Sequence, residues 1–181
     1  MKGEHHRHHG EHMHGTLRVA LVVTSDRVSK GLAEDKLTPL VRSAVEEEGH
    51  VLIWSTIVPN KPHDIRRAVL EAASWANIVL VTGGTGPGPR DLSVETVREV
   101  AEKELPGLGE LHRLESRESV GHAAFLSRTT AFVVGESLVM VSPGSPDAVE
   151  KALKILLDIG SHAVGAVRGR SRWDKGSCAP N

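Results

Sequence analysis

Hydrophobic residues fall along this chain in short unbroken blocks set between longer stretches of mixed polarity. Leu17 to Thr24 is the first block and runs into the polar Ser25-Asp26-Arg27, and Val51 to Val58 and Ile78 to Thr82 follow it. Blocks this short and this rich in Val, Ile and Leu predict strands covered on both faces. Between them, Leu37 to Glu48 and Asp64 to Ala76 carry apolar residues at helical spacing; Pro39 is tolerable in a first turn and Gly49 is placed to cap an end. Val94 to Lys103 predicts a third helix, and Ala148 to Val167 a last one. Val133-Val134 and Leu138 to Val141, separated by Gly135-Glu136-Ser137, predict a late hairpin. No internal repeat is visible. The alternation implies an α/β fold: a doubly wound three-layer α/β/α sandwich with a mostly parallel sheet and a late β-hairpin. Ligands of such folds sit at the carboxyl ends of the strands. The informative loops are therefore Ser25-Asp26-Arg27, Pro59-Asn60 and Gly83 to Asp91.

Composition narrows this picture. The 181 residues, 39% hydrophobic and 25% charged, suit one domain, expected over 16–170 between a His-rich tail (1–15) and a C-terminal tail (171–181). With 22 Lys and Arg against 23 Asp and Glu, there is no electrostatic reason to expect nucleic acid or an anionic membrane as partner. The apolar blocks fall far short of the roughly 20 residues that span a bilayer, and the start lacks the apolar core of a signal peptide, so a cytoplasmic protein is expected. His5, His6, His8 and His9 offer metal-binding nitrogens, but nothing nearby closes a ligand set, which favours a solvated tail. Cys178 stands alone in a polar tail and receives no role. No Tyr, two Phe and three Trp suit an aliphatic core better than a base-stacking platform.

The segment Thr82-Gly83-Gly84-Thr85-Gly86-Pro87-Gly88-Pro89-Arg90-Asp91 leaves a predicted strand and enters a predicted helix. Consecutive backbone N–H groups and a helix N-terminus there predict an anion site, to which Thr85 adds a hydroxyl and Arg90 a charge. A tight connection that needs positive φ accounts for the glycines equally well. The loop lacks the Gly-Lys-Ser/Thr ending of a P-loop, and its Gly84-x-Gly86-x-Gly88 spacing misses the dinucleotide fingerprint.

Taken in order, TGGTGPGPRD, LPGLGELHR, FLSRTTA and VSPGSPDAV resemble the signature of the MoaB/MogA family of molybdenum cofactor biosynthesis proteins, over about Leu17 to Arg168. The resemblance implies a doubly wound domain that assembles as a trimer or hexamer, binds molybdopterin, and transfers AMP to its phosphate from Mg-ATP. Mg2+ is then the implied metal, ATP and molybdopterin the substrates, and a downstream metal-insertion protein a possible partner. Phosphoryl chemistry of this kind asks for positioning and charge neutralisation rather than covalent work by side chains.

Residue by residue, Asp91 matches a family aspartate tied to Mg2+ and nucleotide handling and is the first choice for catalysis; a plain helix-end carboxylate is the alternative. Ser25, Asp26 and Arg27 are expected to line the same crevice, an ordinary polar turn being the competing reading. Gly83, Gly84, Thr85, Gly86 and Arg90 form the candidate anion loop. Glu110, Ser127 and Arg128 match further family positions, with a pocket or interface role set against structural glycines and a surface ion pair. Pro143, Gly144 and Ser145 open the last helix and offer free N–H groups to a second anionic or pterin group. Two departures stand out. Family members commonly have Val-Pro-Asp where this chain has Val58-Pro59-Asn60, so a carboxylate is replaced by an amide that coordinates Mg2+ without supplying charge; Asp64, a turn onward, is a candidate substitute. Asp-x-Ser-Gly likewise becomes Asp35-Lys36-Leu37-Thr38. Three functions compete: an active molybdopterin adenylyltransferase, a weak or inactive molybdopterin- or partner-binding relative, and a metal module built on the His tail.

Overall fold

The computed structural model describes residues 15–169, so the expectations for the His-rich start and for Cys178 lie outside the described residues. In chain order the elements are β1 (Arg18–Thr24), α1 (Asp26–Ser29), α2 (Leu37–Glu47), β2 (Val51–Val58), α3 (Pro62–Trp75), β3 (Ile78–Thr82), α4 (Ser93–Arg98), β4 (Lys103–Leu105), α5 (Pro106–Val120), a 3-10 turn (Gly121–Leu126), β5 (Thr130–Val134), β6 (Ser137–Ser142) and α6 (Pro146–Val167). The strands form one six-stranded sheet in the order β2-β1-β3-β6-β5-β4. β1 pairs in parallel with β2 and β3, and β3 with β6, while β5 runs antiparallel to both β4 and β6. The predicted hairpin is β5–β6, turned at Gly135, whose φ of 58° suits glycine.

The central strands are buried on both faces, which is why they read as unbroken apolar blocks. Val19, Leu21 and Val23 of β1 point to a layer closed by α2 and α6, where Val41, Val45, Val149 and Leu153 pack. Ala20 and Val22 point to the opposite layer, closed by α3 and α4 through Ile65, Val69, Val94 and Val97. This is the expected three-layer arrangement, and it brings the carboxyl ends of β1, β2, β3 and β6 to one edge.

Elements α4, β4, α5 and α1 differ from the sequence reading. The helix expected over Val94 to Lys103 ends at Arg98, because Lys103–Leu105 pairs with Val133, Phe132 and Ala131 as edge strand β4. Helix α5 was not anticipated at all, and α1 adds one turn after β1 whose N-cap is Ser25: its Oγ accepts from Val28 N–H at 3.2 Å. α5 lies against β5 with almost no gap. A Cβ on Gly109 would sit 2.0 Å from the Thr129 carbonyl oxygen, so only glycine allows that approach.

Candidate active site

Loops leaving β1, β2, β3 and β6 meet around the glycine segment and enclose two adjoining clefts. One, of 430 Å3, lies between Gly84 to Pro87, the Pro143-Gly144-Ser145 turn and the inner edge of α5. The other, of 420 Å3, lies between Ser25-Asp26-Arg27, Asn60 and Gly88 to Asp91. Asp91 lines both.

The glycine segment is shaped by its own hydrogen bonds. Gly83 N–H donates to the Ser142 carbonyl at 2.8 Å, and Gly88 N–H to Asp91 Oδ2 at 3.0 Å. The Asp91 N–H returns to the Gly88 carbonyl at 3.0 Å, and Ser93 N–H to that of Gly84 at 3.2 Å. The N–H groups of Gly84, Thr85 and Gly86 have no such partner among the described residues and border the larger cleft. Gly83 and Gly84 have φ of 93° and 66°, and a Cβ at Gly84 would stand 2.4 Å from Ser93 Oγ, so the tight connection alone requires glycine here. α4 has only six residues, so little helix dipole reaches this loop. The stronger dipole is across the cleft, where the 22-residue α6 begins after Ser145, whose hydroxyl accepts from Ala148 N–H at 3.4 Å.

Arg128 braces the loop. Its backbone N–H donates to the Thr85 carbonyl at 2.9 Å, Nε to that of Gly86 at 2.9 Å, and Nη2 to that of Asp91 at 2.7 Å. Nη1 pairs with Glu95. Ser127 Oγ donates to Thr85 Oγ1 at 3.3 Å, which leaves Thr85 one hydroxyl hydrogen to direct elsewhere.

In the second cleft, Asp26 Oδ1 accepts the Asn60 N–H at 2.9 Å and so holds the ends of β1 and β2 together. The Asn60 Oδ1 is buried with no hydrogen-bond partner, 3.2 Å from where a Cβ on Gly84 would be. Arg27 and Arg90 are exposed at its rim. Thr24, which sequence reasoning missed, forms the floor: its hydroxyl donates to the Thr82 carbonyl at 2.7 Å and lies 3.3 Å from Ser93 Oγ. Asn60, Asp91 and Asp26, all bearing hard oxygen donors, therefore line one cleft, a residue chemistry that fits Mg2+, although the Asn60 Oδ1 itself is buried. Among the described residues no three His, Cys, Asp or Glu side chains cluster as a metal cage.

Not every candidate converges. Asp64 lines neither cleft and faces His63 and Arg67 at 3.6 and 3.8 Å on the first turn of α3. Glu110 is exposed on α5 and also lies outside both. Asp35 caps α2, accepting from the N–H groups of Leu37 and Thr38 at 3.0 and 3.1 Å. His112 and Ser116, on the unanticipated α5, border the larger cleft and were missed. At its mouth Asp147 is held below the usual carboxylate range by Lys151, with help from Ser119.

Residues 20–161 match the family model described as a probable molybdopterin binding domain. A molybdopterin adenylyltransferase from Pyrococcus furiosus is 36% identical over 146 residues, which is 78% of this chain and 85% of that protein. Molybdenum cofactor biosynthesis protein B of Bacillus subtilis is 37% identical over 138 residues, 74% of this chain and 81% of its own. The crystal structure of the tungsten cofactor synthesizing protein MoaB from Pyrococcus furiosus superposes with a TM-score of 0.77 at 34% identity, covering 84% of this chain and 98% of that one. On the matched span, the sequence identity and the shared fold, this chain belongs to the MoaB/MogA family of molybdenum cofactor biosynthesis proteins.

Proposed function

We propose that this chain is a molybdopterin adenylyltransferase, in which a phosphate oxygen of molybdopterin attacks the α-phosphorus of ATP, the bond to the bridging oxygen breaks, and pyrophosphate leaves. The observation that carries the reading is the position of Asp91 on the partition between the two clefts. The larger cleft has an apolar wall that includes Val120, Ala124 and Leu126, and it suits a fused ring whose phosphate meets the Gly84 to Gly86 amides. The smaller, with Asp26, Arg27 and Arg90, suits a nucleotide triphosphate.

The protein's part is to position. The Gly84, Thr85 and Gly86 amides hold the attacking phosphate, Arg128 keeps those amides in place, and the Asp26–Asn60 link fixes the facing wall. Asp91 with the Asn60 carbonyl oxygen is the set to hold Mg2+, which when bound neutralises charge on the triphosphate. Assembly as a trimer or hexamer, supported by the exposed Leu111, Leu114 and Phe125 on and after α5, belongs to the same proposal, as do a cytoplasmic setting and a downstream metal-insertion partner. No described helix is long and apolar enough to cross a membrane.

The test is release of pyrophosphate and formation of adenylyl-molybdopterin from Mg-ATP and molybdopterin, with Asp91→Ala beside the wild type. Wild-type turnover lost by a factor of about a thousand in the variant is the expected result. No turnover by the wild type, whose fold is intact, would favour the second reading, a binding-only relative; the amide at position 60 supports that reading.

A further inference from the structure

Helix α5 is built contrary to the usual amphipathic pattern: its buried residues are Gly109, His112 and Ser116, while Leu111, Leu114 and Val120 are exposed. Gly109 lets the helix touch β5, and the two residues that continue this edge are a histidine 1% exposed and a serine 6% exposed. His112 Nε2 is 2.9 Å from the Ala148 carbonyl oxygen in the first turn of α6. A carbonyl only accepts, so Nε2 carries the hydrogen and Nδ1 is left with a bare lone pair. That Nδ1 and the Ser116 Oγ, one turn on, are both buried without a hydrogen-bond partner among the described residues. Both residues border the larger cleft, which the glycine loop also lines. Burial, opposed in part by the Ala148 bond, lowers the affinity of the imidazole for a second proton, so it stays neutral near pH 7.

Buried polar atoms without partners are costly and rare, and their place beside a cleft points to a partner that arrives with the ligand. Nδ1 repels an anion and accepts from N–H. We propose that His112 and Ser116 are specificity-determining residues that accept hydrogen bonds from the N–H-bearing edge of a neutral heterocycle, orienting the substrate so that its phosphate meets the glycine loop. With the adenylyltransferase reading, on which the identity of the ligand rests, that heterocycle is the pterin. The cleft is thus polarised, with amide donors on one wall for the charged end and lone pairs on the other for the ring.

Ser116→Ala deletes one oxygen and carries the test; His112→Leu accompanies it. The intact protein is titrated with molybdopterin at saturating Mg-ATP, and separately with hydroxymethylpterin, followed by pterin fluorescence, which needs no turnover. The proposal predicts a KM for molybdopterin and a Kd for the pterin each about tenfold higher in Ser116→Ala, the worth of one hydrogen bond. kcat falls far less than KM rises. The ligand-free melting temperature of Ser116→Ala stays level or increases, since an unpaired hydroxyl has been removed. A pterin Kd equal in wild type and Ser116→Ala overturns the proposal. So does a lower melting temperature with KM unaltered, the mark of a structural role. Pterin binding that weakens in the variant while neither protein transfers AMP leaves this proposal standing and removes only the transferase reading.

Discussion

Replacing Arg128 by methionine tests whether the glycine loop is held from behind. Methionine keeps the apolar stem but deletes the bonds to the Gly86 and Asp91 carbonyls, at 2.9 and 2.7 Å, and the pairing with Glu95. A charged donor to a carbonyl contributes about 1.5–3 kcal/mol. The Arg128 side chain is 36% exposed, so the lower end applies to each bond. The ion pair, half in solvent, adds at most about 1 kcal/mol. The loss is then about 3 kcal/mol, which for a domain of this size lowers the melting temperature by about 6–12 °C. Calorimetry on the unliganded variant reads that directly. Turnover should fall further than stability, because the amides of Gly84 to Gly86 lose their fixed direction. Lysine is not expected to rescue, since one ammonium cannot serve two carbonyls and Glu95 as a planar fork does. An unaltered melting temperature with a steep rise in KM for either substrate would refute the reasoning, for it would mean that the guanidinium spends its charge on the ligand.

Other consequences are open to measurement. Asn60→Asp places a carboxylate where the buried Oδ1 has no partner and should raise turnover at saturating Mg2+ at least several-fold; equal or lower turnover would show that the amide is the better group in this chain. Gly109→Ala puts a methyl 2.0 Å from the Thr129 carbonyl oxygen and should cost more than about 3 kcal/mol, read as the shift in a urea midpoint. Because the folded pKa of His112 is depressed by burial below its ordinary 6.5, the unfolded chain takes up its proton first as pH falls. Stability from this group is therefore full above 6.5 and declines as the pH drops through and below that value, and His112→Leu should flatten the melting curve against pH between 7 and about 5.

The strands and most helices could be read from the chain because burial on both faces leaves an unmistakable record in β1 and β3, and the amphipathic α2, α3 and α6 leave one at helical spacing. α5 could not, for its fully buried positions are glycine, histidine and serine, only Leu108 of its leucines packs against the core, and Leu111 and Leu114 look outward, so hydrophobic periodicity carries little signal there. β4 is three residues of edge strand with two charges, short enough to pass for the end of a helix. Around the clefts, the glycines and Asp91 could be singled out because backbone geometry and carboxylate chemistry restrict residue type, and Asn60 through the resemblance alone; all of them border the two clefts. Arg128 was visible as a residue but not in its role, since a guanidinium that serves backbone carbonyls leaves no trace in the identity of its partners. Asp64 was drawn in by its nearness to Asn60 and Glu110 by its match to a family motif, and neither lines the clefts.

The Gly83 N–H is bonded to the Ser142 carbonyl, and Gly144 lies so near that a Cβ on it would be 3.5 Å from the Gly83 Cα. The segments that follow β3 and β6 are consequently geared to each other, and neither wall of the larger cleft can be reshaped alone. Changes in the two turns should be strongly non-additive, and a redesign of the cleft for a different ring would have to alter them as a pair.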